Sequence, residues 1–180
     1  MKKILLCSIC TLLFSLNGYA EDFHFSRMSK STQQKVLKIW RKELRKEMQQ
    51  MVKSFPMQID STTTLDGAFF LNNSVTYLAS ISDEGIQEVL ANTGAEMSAE
   101  EFWGNDFYLS YMKTTMFSRS KNYVCTNAQL NVHLDIGTIE SVEYQYTRDD
   151  GRILFESVID NCDDYEKKPF VLPNGHRLFP

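Results

Sequence analysis

Hydrophobic and polar positions along the chain follow a helical period first and a strand period next. Between residues 31 and 54 the apolar side chains gather on one side of a helix turning about 100° per residue, and the basic side chains gather on the other. Ser31 followed by Gln34 resembles a capping box, and Phe55-Pro56 ends the pattern. The pattern predicts a long amphipathic helix over residues 31–54.

Two pairs of strands are predicted by β-branched and aromatic residues. Residues 59–70 and 75–82 form the first pair, with a turn at residues 71–74. Residues 139–146 and 153–159 form the second pair, because the Asp-Asp-Gly sequence between them is typical of a hairpin turn. The sequence therefore predicts two hairpins.

Three helical segments are predicted between the hairpins. The first covers residues 83–92. The second begins at the capping box of Ser98 and Glu101 and runs to about residue 119, with Gly104-Asn105 as a point of kinking or splitting. The third begins at Thr126 or Asn127, either of which can cap it, and ends at Gly137. The order of elements predicts an α+β domain, in which an antiparallel sheet of about four strands carries the helices on one face.

The first 20 residues have the layout of a cleavable secretory signal. Lys2 and Lys3 precede a short apolar run, and small residues precede a break between Ala20 and Glu21. The run is shorter than the ~20 apolar residues that cross a bilayer. We expect a bacterial periplasmic or secreted protein with a signal peptide at 1–20, one domain at 21–165 and a surface tail at 166–180. No membrane-spanning segment is expected after cleavage.

The cysteines fit this compartment. Cys7 and Cys10 leave with the signal peptide, whereas Cys125 and Cys162 remain and are favoured to pair in an oxidising space. These two cysteines, His133 and Asp135 could be drawn as a metal site, but they lack the short ligand spacing of zinc proteins. The sequence predicts a disulfide and neither a metal nor a cofactor.

No set of catalytic residues is assigned. His133 is the one histidine that falls within the predicted folded elements, and no nucleophile motif accompanies it. Glu100-Glu101 lies at a helix start and Asp149-Asp150 in a turn, where acidic residues have structural uses.

Two surfaces are candidate interaction sites. The segment from Arg27 to Lys53 holds nine basic residues and two acidic ones, although the chain after cleavage has 17 basic and 23 acidic residues. Its basic helix face is either simply solvated or docks an anionic partner. An aromatic helix either packs under the sheet or offers an apolar patch. The residues of the basic surface are Lys35, Lys38, Lys42, Arg45 and Lys46, and those of the aromatic patch are Trp103, Tyr108 and Tyr111.

The C-terminal half resembles a known family. The residues that carry the resemblance are the run from Tyr123 to Leu130, Leu134 to Gly137, Val142 to Tyr146, the Asp-Asp-Gly turn and Cys162. This pattern is similar to small exported bacterial proteins of unknown function, including the quorum-sensing-regulated virulence factor family. The resemblance implies fold and export, and it implies no catalytic residue.

The leading hypothesis is an exported, non-enzymatic binding or accessory protein of the bacterial cell envelope, associated with secretion, conjugation or virulence. Its partner would be another envelope protein or an anionic envelope surface, and not a nucleic acid given the compartment and the acidic total. The alternative is a small periplasmic hydrolase or enzyme inhibitor with a site assembled from distant residues. A cleft that converges on His133 and several carboxylates would favour the alternative.

Overall fold

The structure, a computed structural model, describes residues 25–163 and Tyr165, with Ala128 and Gln129 described by their backbone alone. The predicted signal peptide (1–20) and the predicted tail (166–180) lie outside the described residues. The chain divides into two units, Met1–Val36 and Leu37–Pro180, and the boundary falls inside the first long helix, α1 (Lys30–Met51).

The described part of the first unit shows how α1 begins. The hydroxyl of Ser29 accepts a hydrogen bond from the backbone N–H of Thr32 at 3.2 Å, as an N-cap residue does. The predicted capping box at Ser31 is therefore wrong by two positions, because Ser31 is already inside the helix. The side-chain amide of Gln33 donates to the carbonyl of Phe25 at 3.0 Å and ties the preceding 3₁₀ turn, Phe25–Arg27, to the helix.

The second unit is built on one sheet. Its strands are β1 (Met57–Gln58), β2 (Thr63–Leu71), β3 (Ser74–Ile81), β4 (Ser141–Arg148) and β5 (Ile153–Ile159), in the spatial order of the sequence. The α+β class and both hairpins are confirmed. The sheet has five strands rather than about four, and it is mixed, because β3 and β4 pair in parallel while the other neighbours are antiparallel. Parallel pairing requires a long crossover, which the intervening helices provide.

Four helices form that crossover: α2 (Asp83–Thr93), α3 (Ala99–Trp103), α4 (Asp106–Thr126) and α5 (Ala128–Asp135). The predicted capping box of Ser98 and Glu101 is confirmed. The predicted split at Gly104-Asn105 is also confirmed, because the Asn105 side chain accepts from the N–H of Phe107 and starts α4 as a new helix. Helix α4 continues to Thr126, beyond the predicted end near residue 119.

One face of the sheet carries the core. Alternate residues of β3, β4 and β5 are buried, and their partners include Leu44 and Met48 of α1. A row of aromatic rings crosses this covered face: the centroids of Tyr77 and Tyr144 are 5.0 Å apart, and those of Tyr146 and Phe155 are 4.9 Å apart. The Tyr146 hydroxyl lies 2.8 Å from that of Ser120 on α4. Helices therefore occupy one face and leave the other open.

A buried arginine links the end of β4 to two helix starts. The guanidinium of Arg148 donates to both carboxylate oxygens of Asp83, at 2.8 and 2.6 Å, and to Glu100 at 2.6 Å. Asp83 also accepts from the indole N–H of Trp103 at 2.8 Å. Because Asp83 and Glu100 lie in the first turns of α2 and α3, this cluster fixes both helices to the sheet.

The predicted disulfide is confirmed. Cys125 near the end of α4 is bonded to Cys162, three residues after β5, with their Cα atoms 5.6 Å apart. No helix within the described ranges combines the length and the apolar character needed to cross a membrane.

Candidate binding surface on the open face of the sheet

The uncovered side of β2 to β5, here called the open face, is where the sheet presents side chains to solvent. Strand register places Phe69, Thr76, Glu143 and Val158 in one row across the four strands. The neighbouring row contains Leu78, Gln145 and Glu156. Between the rows lies a shallow concavity of about 290 Å³.

Apolar side chains flank this concavity on both sides. Phe69 and Leu71 on β2 are 41% and 59% exposed, and Val158 on β5 is 55% exposed. Since β2 and β5 are separated by three strand spacings of about 4.8 Å, the apolar rims lie roughly 14 Å apart. That width fits a single helix or a single extended segment.

The carboxylate of Glu143 is held in place by hydroxyl groups. Thr76 Oγ1 donates to one oxygen at 3.3 Å, and Ser141 Oγ donates to the other at 2.9 Å. Ser141 Oγ also lies 2.7 Å from Ser74 Oγ. Because Ser141 has given its only hydroxyl proton to Glu143, Ser74 is the donor of that bond. These hydroxyl groups therefore orient the Glu143 carboxylate by hydrogen bonds and place no positive charge beside it.

Glu156 is oriented in a similar way, since Gln145 Nε2 donates to its Oε1 at 2.9 Å. At the adjoining end of the face, Asn73 Nδ2 donates to Glu140 Oε1 at 3.0 Å. None of these three carboxylates enters an ion pair with a cation of the described residues. The open face thus combines fixed negative charge with apolar rims, which complements a cationic amphipathic segment.

The predicted basic surface is divided by the structure. Lys35 belongs to the first unit, and the other four residues belong to the second. Lys38 and Lys42 are exposed on α1. The Arg45 guanidinium lies over the ring of Phe70, 5.4 Å from its centroid, and Lys46 pairs with Glu43 at 2.8 Å. Two of the five residues therefore have local structural contacts.

The predicted aromatic patch lies mostly against other parts of the protein. Trp103 is buried, and its indole N–H donates a hydrogen bond to Asp83. Tyr108 is half-buried and stacks on Phe102, with the ring centroids 5.4 Å apart. The hydroxyl of Tyr111 is buried without a hydrogen-bond partner. The most exposed aromatic ring of this region is Phe107, at 72%.

His133 lies on α5, away from the open face. Its ring is edge-on to Trp40, with the centroids 6.3 Å apart, and its Nδ1 is buried without a hydrogen-bond partner. Burial lowers the pKa of His133. It does not line the concavity, so the carboxylates of the open face and this histidine do not converge. Among the residues that the structure describes, no three His, Cys, Asp or Glu side chains are grouped to hold a metal ion.

Sequence reasoning missed the open face as a site. The available signal was the alternation within the second hairpin, where Glu143, Gln145, Glu156 and Val158 point away from the tyrosines of the core. The carboxylates belong to neighbouring strands, and the opposite apolar rim comes from β2, more than 70 residues earlier. Only the parallel pairing of β3 with β4 brings these parts together.

Comparison with known proteins identifies the fold. No protein-family model and no curated protein matches the sequence, so the resemblance to the virulence factor family is not confirmed. The structure is similar to EpsS, the pilotin of the Vibrio vulnificus type 2 secretion system, with a TM-score of 0.50 and 11% identity over 77% of this chain and 100% of EpsS. The type II secretion pilotin AspS of Vibrio cholerae has a TM-score of 0.45 and 12% identity over 72% of this chain and 93% of its own. PA3611 of Pseudomonas aeruginosa, described as a secreted protein, has a TM-score of 0.45 and 14% identity over 74% of this chain and 95% of its own. At these identities the similarity concerns the fold, which this chain shares with EpsS.

Proposed function

We propose that this protein is an exported, non-enzymatic accessory protein of the bacterial cell envelope. In this proposal its open face binds a cationic amphipathic segment of another envelope protein. The observation that carries the proposal is the pair of oriented carboxylates, Glu143 and Glu156, which form no ion pair with a cation of the described residues and lie between exposed apolar rims.

Burial and charge both favour a macromolecular partner on this face. The concavity is shallow and open along the strands, whereas a small-molecule site usually encloses most of its ligand. Acidic side chains that are already hydrogen-bonded lose little side-chain entropy on binding a lysine or arginine. The exposed rims of Phe69, Leu71 and Val158 would then supply the apolar contact.

Export and a role in secretion are supported from two further directions. The N-terminal segment has the layout of a secretory signal, and a disulfide suits an oxidising compartment. The fold is shared with EpsS, a pilotin of a type 2 secretion system. We therefore place the proposed partner among the proteins of an envelope secretion machinery.

The position of His133 favours binding over hydrolysis. A hydrolase of the kind considered from the sequence would bring this histidine and several carboxylates to one cleft. Here His133 packs against Trp40, while Glu143 and Glu156 lie on the open face.

The test is affinity capture from the envelope fraction of the producing cells, with a matched pair of double variants. Glu143→Gln with Glu156→Gln removes two charges from the open face. Glu88→Gln with Glu96→Gln removes two exposed charges from α2 and the loop that follows it. We expect the first pair to weaken capture of the partner about tenfold, since two solvent-facing ion pairs contribute up to about 1 kcal/mol each.

The control pair should capture the same partner as the wild type, and moderate salt should reduce the difference between the two pairs. Equal capture by both double variants at low salt would refute the proposal. Equal loss in both would refute it as well, because net charge rather than the open face would then govern binding.

A further inference from the structure

We propose that the partner of the open face adds an extended segment beside β5, as a sixth strand of the sheet. This inference rests on the proposed function and deepens it, because it specifies the conformation and the side-chain pattern of the bound segment. The added strand runs antiparallel to β5 and carries a lysine or arginine opposite Glu156.

The outer edge of β5 has no strand beside it in the part of the chain that the structure describes. Strand β5 is the last in the order of the sheet, and the backbone-to-backbone hydrogen bonds of the described residues join Ile153–Ile159 to β4 alone. After β5 the chain turns towards α4, where Cys162 is bonded to Cys125. An edge strand of this kind presents unpaired N–H and C=O groups to a further strand.

The register of β4 and β5 shows which backbone groups point outward. Arg148 donates its N–H to the carbonyl of Arg152, so residues at every second position of β4 before Arg148 direct their backbone groups towards β5. The intervening residues of β4 do not, and neither do the residues opposite them, which include Glu156 and Val158. The N–H and C=O groups of Glu156 and Val158 therefore point away from β4.

The same two residues place exposed side chains on the open face. Residues directly opposite each other in an antiparallel ladder have their side chains on the same face. A strand added to β5 would therefore set one side chain beside Glu156 and another, two residues along, beside Val158. The Glu156 carboxylate forms no ion pair with a cation of the described residues, so a lysine or arginine complements the first position and an apolar residue complements the second.

Strand β5 lacks features that usually protect the edge of a sheet. Its sequence, Ile153–Ile159, contains no lysine and no proline, and its bulge lies at Leu154, which leaves residues 155–159 regular. At the opposite edge, β1 pairs with part of β2, and β2 has a bulge at Asp66. Of the two edges, β5 is therefore the one suited to strand addition.

Charge argues against a second copy of this chain as the added strand. If two β5 strands paired antiparallel through their regular parts, the residue opposite Glu156 would be Glu156, Val158 or Asp160, according to the register. None of these supplies a cation, and two of them place like charges opposite each other, which is destabilising. A cationic segment of another protein supplies the charge that this edge lacks.

The test uses the full exported chain, labelled with ¹⁵N, and three synthetic peptides. The parent peptide has the sequence Thr-Val-Thr-Lys-Thr-Val-Thr with both ends blocked, so that one lysine and two valines share a face of the strand. The first derivative is N-methylated at the lysine and the first valine, whose N–H groups face β5 in the proposed pairing. The second derivative is N-methylated at the two threonines that flank the lysine, whose N–H groups face away.

We expect NMR titration to show that the parent and the second derivative bind alike. The first derivative should bind about tenfold more weakly or worse, because it loses two hydrogen bonds to the edge. The parent peptide should also slow hydrogen exchange at the backbone amides of Glu156 and Val158, and Glu156→Gln should weaken its binding.

Equal affinities of the two derivatives, the reverse order, or no binding of the parent peptide would overturn the inference. Slow exchange of the Glu156 and Val158 amides before any peptide is added would overturn it as well, because a second copy or another part of this chain would then already occupy the edge. None of these results changes the comparison of the two glutamate double variants in partner capture, so the inference and the proposed function fail separately.

Discussion

Among single residues, Arg148 stabilises the fold by bonding to the first turns of two helices. Its side chain is 8% exposed and lies between Asp83 and Glu100, which are 36% and 73% exposed. We expect Asp83→Asn to lower the free energy of unfolding by about 2–3 kcal/mol. This is below the ~3–5 kcal/mol of a fully buried pair, because Asp83 is partly solvated. Urea unfolding measures the change.

A matched control comes from the exposed pair of Glu43 and Lys46. Glu43→Gln should change the free energy of unfolding by about 0.5 kcal/mol or less, as is usual for surface pairs. An equal loss in both variants would show that the Arg148 cluster contributes no more than a surface contact.

The free energy of unfolding should depend on pH because the pKa values of two carboxylates, Asp83 and Asp60, are lowered in the folded state. Hydrogen bonds from Arg148 lower the pKa of Asp83 from its ordinary value of 3.8. Burial alone would raise the pKa of Asp60, but hydrogen bonds from Thr62 and the Arg119 guanidinium lower it overall. Carboxylates with a lowered pKa in the folded state stabilise the fold above about pH 4, and that stability is lost as the pH falls below it. Asp83→Asn should make this acid loss shallower.

From the sequence, only the acidic side of the Arg148 cluster could be predicted. An acidic residue at position 83 is expected in the first turn of a helix, whatever its partner. Its pairing with an arginine 65 positions later depends on where β4 ends, and no local pattern specifies that.

At the scale of elements, α1 allows the packing and charge roles of one helix to be separated. Leu44→Ala should cost about 2–5 kcal/mol of unfolding free energy, since Leu44 is buried in the core. Lys38→Gln with Lys42→Gln should change it by about 0.5 kcal/mol or less, because both side chains are exposed. Thermal or urea unfolding distinguishes the two. A large loss of unfolding free energy in the lysine variant would show that Lys38 and Lys42 stabilise the fold.

The same helix bears on the predicted docking of an anionic partner. If Lys38 and Lys42 bind anionic vesicles, the double glutamine variant should lose that binding at low salt while its stability is kept. Unchanged vesicle binding would remove these two residues from the candidate sites.

The elements were more predictable than their pairing. Alternation and turn residues predicted both hairpins, and the capping residues predicted the starts of α3 and α5. Periodicity defines which side of a strand is apolar, but it does not specify which strands become neighbours. The parallel contact between β3 and β4 and the two-residue strand β1 were therefore not predicted.

The disulfide links two of these elements, α4 and the chain after β5. Reduction, or Cys162→Ser, should lower the free energy of unfolding by about 2–5 kcal/mol, because the bridge closes a loop of 37 residues in sequence separation. Denaturant unfolding with and without reductant measures the loss. Equal stability of the oxidised and reduced forms would contradict this expectation.

For the whole molecule, the predicted signal peptide defines the expected N-terminus of the exported chain. We expect the exported protein to begin at Glu21, because Ala20 completes the cleavage pattern of the signal. Intact mass spectrometry of the protein from the cell envelope or medium decides this. A retained leader, or a lipid on Cys7 or Cys10, would contradict it.

The charge of the whole molecule is unevenly distributed. The segment from Arg27 to Lys53 is basic, while Glu140, Glu143 and Glu156 make the open face acidic. An acidic face on an acidic protein attracts cationic partners through the summed field, and this attraction weakens with salt. From the charge of the open face we therefore expect a partner with a positively charged binding segment.

Site-specific photo-cross-linking in intact cells shows whether the open face contacts an envelope protein. A benzophenone amino acid is placed at Phe69 or Val158 on the open face, or at Phe107, an exposed ring on α4. We expect one envelope protein to be cross-linked from both open-face positions and not from Phe107, and we expect Glu143→Gln/Glu156→Gln to weaken this cross-linking. Cross-links to a partner from Phe107 alone, with none from Phe69 or Val158, would contradict it.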